Sequence, residues 1–236
     1  MLNGGCDDNC FNQVRGWEHL KEIEHIDEHR RIGVFGGTFN PIHMGHLMIA
    51  EFATEAFGLE TTIFVPTGSP PHKDVAIASA ADRYQMTALA ILDNPRFTIS
   101  DIEIQRSGVS YTVDTIRELK KQYPKGTEFY FICGTDSIQD LPNWKFNREL
   151  LEQAYFIGAT RPDGSDFIGN IIDYFGALGK EKIHLLEVPE LALSATVLRE
   201  RLKAGQSVRY IVPDVVIRYI EEHSLYSGNL QIEYFL

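Results

Sequence analysis

The sequence predicts a doubly wound α/β fold, one mainly parallel sheet with helices on both faces. Three observations carry that expectation. From residue 31 onward, short apolar runs alternate regularly with stretches of helical periodicity. Runs such as 128–133 (EFYFIC) are almost continuously apolar, as strands covered on both faces are. Glycine and proline mark the joints between the segments.

Taken in order, residues 31–35 (RIGVF) form the first strand, and Gly36-Gly37 turns the chain at its end. Residues 46–57 have helical spacing, with Leu47, Ile49, Ala50, Ala53 and Ala56 available for one face, and Gly58 stops them. The second strand is 61–65 (TTIFV), ending at Pro66. A helix follows at 80–92, with Asp82 in its first turn and Pro95 beyond its end. Residues 97–104 alternate as a third strand. A helix at 113–123 is stopped by Pro124 and Gly126, and 128–133 is the fourth strand. A short helix at 148–153, a strand at 154–159, a helix at 168–178 and a strand at 183–188 come next. Helices at 196–204 and 215–224 close the chain. In such sheets ligands bind beyond the carboxyl ends of the strands, so residues just after strands are the informative ones.

At 236 residues the chain suits one domain, or one large domain with a small appendage. Residues 31–226 read as that domain and 227–236 as a tail, whose Leu230, Ile232, Tyr234 and Leu236 alternate as an edge strand or a contact in a homo-oligomer. Residues 1–30 stand apart as an acidic, polar extension, in which Trp17, Leu20, Ile23 and Ile26 suggest either an amphipathic helix or a disordered arm. The 44% hydrophobic and 23% charged fractions supply an ordinary core. No apolar run is long enough to cross a bilayer, and the N-terminus lacks the basic-then-apolar pattern of a secretory signal, so a cytoplasmic protein without a membrane partner is expected. A net charge of −11 argues against nucleic-acid binding, which needs cations to displace counterions, but leaves room for a locally bound anionic ligand. Cys6, Cys10 and Cys133 make no disulfide framework, and the spacing of Cys6 and Cys10 with His19, His25 or His29 fits no common zinc pattern.

The first strand runs into Gly36-Gly37-Thr38-Phe39-Asn40-Pro41-Ile42-His43-Met44-Gly45-His46. Paired glycines let a phosphate or ribose approach the backbone. His43 and His46, three apart, lie on one side of a first helical turn, where imidazoles and free amides together can bind phosphate. An isolated H-x-x-H pair is more often a surface or capping pair; its place directly after the first strand favours the functional reading. It is neither a Walker loop nor a dinucleotide fingerprint, lacking G-K-[ST] and a correctly placed third glycine.

This segment resembles the histidine motif, (H/T)-x-G-H, of the nucleotidyltransferases related to class I aminoacyl-tRNA synthetases. From about Arg31 to Tyr226 the chain is similar to bacterial nicotinate mononucleotide adenylyltransferases. Further segments carry the likeness: Ser69-Pro70-Pro71-His72-Lys73, whose Lys suits a mobile point charge on phosphate; Ser110-Tyr111-Thr112-Val113-Asp114-Thr115; Gly134-Thr135-Asp136-Ser137 followed by Trp144; and Leu193-Ser194-Ala195-Thr196-Val197-Leu198-Arg199. The last makes sense by itself: Ser194 can cap a helix, Thr196 and the first amides face an anion, and Arg199 presents a planar fork. Thr112 and Asp114 fit helix capping and substrate contact equally. Asn40 stands where many members carry Asp, and Lys145 where some carry a second aromatic.

The resemblance implies a Rossmann-like fold and direct in-line transfer of AMP from ATP to nicotinate mononucleotide, releasing pyrophosphate. Catalysis is then positioning and charge stabilisation, without a covalent intermediate. It implies His46, His43, Lys73 and Arg199 as catalytic residues. Gly36, Gly37, Thr38, Phe39, Arg161, Ser194 and Thr196, with His43, His46 and Arg199, are implied to bind ATP. Asn40, His72, Lys73, Thr112, Gly134, Asp136 and Trp144 are implied to bind nicotinate mononucleotide. Trp144 either stacks on the pyridine ring or packs as core or lid. Mg2+ is expected to arrive on the ATP phosphates, with no metal site of the protein's own. Alternatives are nicotinamide mononucleotide or phosphopantetheine as acceptor, or a nucleotide sensor signalling through residues 1–30.

Overall fold

The computed structural model describes residues 30–69, 78–160, 168–189 and 193–227. The readings of residues 1–29 and 228–236, the edge strand included, lie outside the described residues.

Six strands form one sheet: β1 (Arg31–Gly37), β2 (Thr61–Pro66), β3 (Phe97–Ile99), β4 (Glu128–Gly134), β5 (Tyr155–Thr160) and β6 (Ile183–Glu187). All neighbours are parallel, in the order β3-β2-β1-β4-β5-β6. The helices are α1 (Met44–Ala56), α2 (Ala80–Ile91), α3 (Ile102–Gln105), α4 (Thr112–Lys120), α5 (Thr135–Asp140), α6 (Asn147–Gln153), α7 (Ile168–Phe175), α8 (Ala177–Lys182), α9 (Ala195–Lys203) and α10 (Asp214–Glu222). Among the described residues no helix is long and apolar enough to cross a membrane.

Strand alternation divides the interior into two cores. Phe35, Phe64, Tyr130 and Ile132 face one side, against Ala50 and Ala53 of α1, Met86 of α2, Leu198 of α9 and Val216 of α10. Ile32, Val34, Phe129, Phe131 and Cys133 face the other, against Val113 and Ile116 of α4, Leu150 of α6 and Ile171 of α7. Each fully buried Ile, Leu or Phe contributes roughly 1.5–3 kcal/mol of transfer free energy. Apolar residues on both strand faces therefore select a sheet covered twice.

Three expectations are corrected. The third strand stops at Ile99 and α3 replaces its second half. Ser100 and Asp101 cause the break: Ile102 N–H donates to Ser100 Oγ, and Ile104 and Gln105 N–H donate to the Asp101 carbonyl. The single helix expected over 168–178 is two, because Gly176 takes φ +64° between α7 and α8. A helix and a 3-10 turn (Leu141–Asn143) follow β4 where the sequence pattern assigns no element.

Candidate active site

The order of the strands puts the switch point between β1 and β4, since the chain winds outward from β1 to β3 and returns to β4. Their ladder runs from Arg31 opposite Glu128 to Phe35 opposite Ile132. Beyond it, Gly36 and Gly37 pair with Val65 and Pro66 of β2, while Cys133 and Gly134 pair with Gly158 and Ala159 of β5. The two strands thus part at their carboxyl ends and leave a crevice. A side chain at Gly134 would meet open space. Gly36 and Gly37, both partly exposed, end β1 where it parts from β4. They also serve the cores: a Cβ at Gly36 would lie 3.0 Å from the Phe131 ring, and one at Gly37 3.0 Å from the Phe39 ring.

His43 is the N-cap of α1, and His46 lies one turn in. Their rings stack at 3.7 Å between centroids. The His43 N–H donates to His46 Nδ1 at 3.2 Å, so a neutral His46 carries its proton on Nε2 and offers it as a donor. Phe39 meets the His46 ring edge-on at 5.1 Å and Phe35 does so at 6.1 Å. Burial pushes the His43 pKa down to about 4. Burial, with His43 beside it, holds His46 well below the usual histidine range. Both are therefore neutral donors at pH 7. His43 Nδ1 is buried without a hydrogen-bond partner. Gly45 is what lets the pair stack, since a Cβ there would lie 3.1 Å from His43 Nδ1. Cys133, buried with its thiol pushed up to about 12, is no nucleophile at neutral pH.

The second motif meets the first. Arg199, in the second turn of α9, donates to the Asn40 carbonyl at 2.9 Å and to Thr196 Oγ1 at 3.0 Å. Leu193 lies 3.7 Å from the Cβ position of Gly45. Ser194 is the N-cap of α9 but makes no capping bond through its side chain, a correction to its expected role; Ser194 and Thr196 are exposed. Two helix starts of one sheet thus converge on one turn.

That turn, residues 38–42, is tightly held. Phe39 is buried at φ +47°, so a ligand meets its backbone rather than its ring. Asn40 is 3% exposed, and its Oδ1 accepts from Ala78 N–H at 3.1 Å and Tyr226 Oη–H at 2.6 Å. The Thr38 carbonyl accepts from Arg83 at 2.9 Å. The sequence reading missed Arg83 and Tyr226. Arg83 was detectable, because it occupies the buried stripe of α2 shared by Thr87, Ala90 and Ile91, where a charge is out of place.

On the other side of the crevice, Tyr111 takes the N-cap position of α4, without a side-chain cap bond, and Thr112 is the first helical residue. Thr112 therefore does not cap this helix, and Asp114 pairs with Arg117 at 2.8 Å. Ser110 Oγ is buried without a hydrogen-bond partner. Trp144 is half-buried and packs edge-on against Phe131 at 5.9 Å and Phe156 at 6.2 Å. Lys145, beside it, donates to Tyr111 Oη at 2.9 Å. His72, Lys73 and Arg161 lie outside the described residues, and for Asp136 only the backbone, in α5, is described.

A parallel sheet whose switch-point crevice receives two such helix starts defines a nucleotidyltransferase, and the cytidylyltransferase-like family model matches residues 34–201. A protein of Desulfitobacterium hafniense named "Probable nicotinate-nucleotide adenylyltransferase" is 46% identical over 201 residues, covering 84% of this chain and 96% of its own. One of the same name from Moorella thermoacetica is 44% identical over 205 residues, covering 85% and 93%. The chain belongs to the nicotinate-nucleotide adenylyltransferase family within that class. Its fold is similar to the Plasmodium falciparum nicotinic acid mononucleotide adenylyltransferase complexed with NaAD, with TM-score 0.70 and 22% identity over 84% of this chain and 98% of the other.

Proposed function

We propose that the chain works in the cytoplasm, transferring AMP from ATP to nicotinate mononucleotide to give deamido-NAD and pyrophosphate. The relatives' names support the activity. The observation that carries the site is the bond from Arg199 to the Asn40 carbonyl, which joins the α9 motif to the turn entering α1. In the transfer, a phosphate oxygen of the mononucleotide attacks the α-phosphorus of ATP, and the bond to the bridging oxygen breaks as pyrophosphate leaves. The nucleophile is already an anion, so no base is required. His46 Nε2–H and His43 donate to the triphosphate, and Arg199 and Lys73 steady the leaving oxygens.

Gly36, Gly37, Thr38, the Phe39 backbone, Arg161, Ser194 and Thr196 complete the ATP side. Trp144, Thr112, Gly134, Asp136, His72 and Asn40 complete the pyridine side, where Asn40 keeps its amide for ligand because its Oδ1 is engaged. Among the described residues no three His, Cys, Asp or Glu side chains cluster as a metal site. Neutral imidazoles and guanidiniums suit Mg2+ held by ATP and water, where it would supply charge neutralisation on the phosphates.

The test is pyrophosphate release from ATP with nicotinate mononucleotide, nicotinamide mononucleotide or phosphopantetheine, scored by product mass. Release with the first alone supports the proposal. Nucleotide binding without release identifies a sensor instead.

A further inference from the structure

Arg83 is 1% exposed, and each arm of its guanidinium ends on a main-chain carbonyl: Nη1 on Thr38 at 2.9 Å, Nη2 on Gly68 at 3.2 Å and Nε on Ala78 at 3.2 Å. Among the described residues no carboxylate pairs with it. The arginines Arg30, Arg96, Arg106 and Arg117 each have one, in Glu60, Glu51, Glu118 and Glu149. A buried guanidinium spent on main-chain carbonyls is costly, which directs attention to the turn that it grips.

Its strongest bond falls on the turn between β1 and α1. Arg83 holds the Thr38 carbonyl and Arg199 holds the Asn40 carbonyl, bracketing Phe39. Phe39 sits between them in the left-handed region, a conformation that persists only when its surroundings impose it. From there its ring supports His46 edge-on at 5.1 Å. Tyr226 and Ala78 fix the same turn through the Asn40 side chain.

We infer that Arg83 is a positioning residue for adenylyl transfer, acting through the Thr38 carbonyl and the Phe39 ring to hold the His46 imidazole in place. Lysine at this position keeps the charge but cannot reach three carbonyls with a rigid planar fork.

The inference rests on the adenylyl-transfer reading. Wild-type pyrophosphate release tests that reading, and variant-to-wild-type ratios test only the inference. The experiment is a double-mutant cycle of Arg83→Lys with His46→Ala, with kcat and both KM values measured on protein shown to be folded by its melting curve. Arg83→Lys is expected to lower kcat at least tenfold in the wild-type background, with smaller changes in KM, and less than threefold when His46 is already alanine. A kcat within twofold of wild type, or the same loss in both backgrounds, overturns the inference, because a purely structural role is additive. If Arg83→Lys does not fold, Tyr226→Phe replaces it in the same cycle. It removes one hydroxyl from the same turn, and a threefold loss of kcat that disappears with His46→Ala supports the clamp. An unchanged kcat, or an equal loss in both backgrounds, overturns it.

Discussion

Gly45→Ala separates stability from catalysis at the histidine pair. Gly45 is helical, in the first turn of α1, with no positive φ to forbid alanine. Removing a glycine from a helix stabilises by roughly 0.5–1 kcal/mol. Against that, the new methyl would stand 3.1 Å from His43 Nδ1, 3.2 Å from Cε1 and 3.7 Å from Leu193 Cδ1. The first two are a few tenths of an ångström too close. The His43 ring can yield, since no hydrogen bond holds its Nδ1. It yields by leaning on His46, stacked at 3.7 Å. The melting temperature should therefore stay within about 3 °C of wild type, from the roughly 2–4 °C per kcal/mol of a domain this size. Turnover should fall about tenfold, given that a full ångström of misplacement costs about a hundredfold. Differential scanning fluorimetry and pyrophosphate release read the two quantities. A variant that melts normally and keeps kcat within twofold would show that the stacked geometry of His43 and His46 is immaterial to the reaction.

Three further outcomes follow from the same geometry. His46→Ala, losing one preorganised donor, should lower kcat by about 10²–10⁴-fold with a near-normal melt, and near-wild-type turnover would remove His46 from the mechanism. Trp144→Ala should raise KM for nicotinate mononucleotide with KM for ATP little changed, and the opposite pattern in steady-state kinetics would exchange the two pockets. His43 binds its proton less readily folded, at about 4, than the unfolded value of 6.5, so its contribution to stability is complete above pH 6.5 and is lost as pH falls towards 4. Urea unfolding should therefore lose about 2 kcal/mol between pH 7.5 and pH 5 in wild type beyond any loss in a His43→Asn variant; equal losses would refute the depressed pKa.

Much of this molecule is legible in its sequence because local and global signals agree. The apolar runs at Arg31 and Glu128 are strands within two residues of where they were expected, and the α9 motif begins one residue early. The convergence was readable where candidate residues follow a strand: His43, His46 and Arg199 gather at one turn across more than 150 residues of chain. What could not be read depends on partners distant in sequence. Nothing near Arg83 announces that its fork will reach Thr38 and Gly68, and nothing near Tyr226 points to Asn40. The 97–104 alternation misled because a strand needs a neighbour, and only Phe97–Ile99 has one, in β2. Ser194 misled in another way: its residue type and position suit a cap, but it is exposed and its side chain makes no cap bond.

The separation of β1 from β4 after Phe35 and Ile132 has a practical consequence for engineering. Each bank of the cleft has its own aromatic support, His46 over Phe35 and Phe39, Trp144 over Phe131 and Phe156, with Phe131 also lying against Gly36 of β1. On the proposed roles, repacking Phe156 beneath Trp144 should act on the acceptor side and repacking beneath His46 on the donor side, whereas Phe131 touches both. Libraries for a new acceptor belong beneath Trp144 with Phe131 held fixed, which leaves the packing around His46 unchanged.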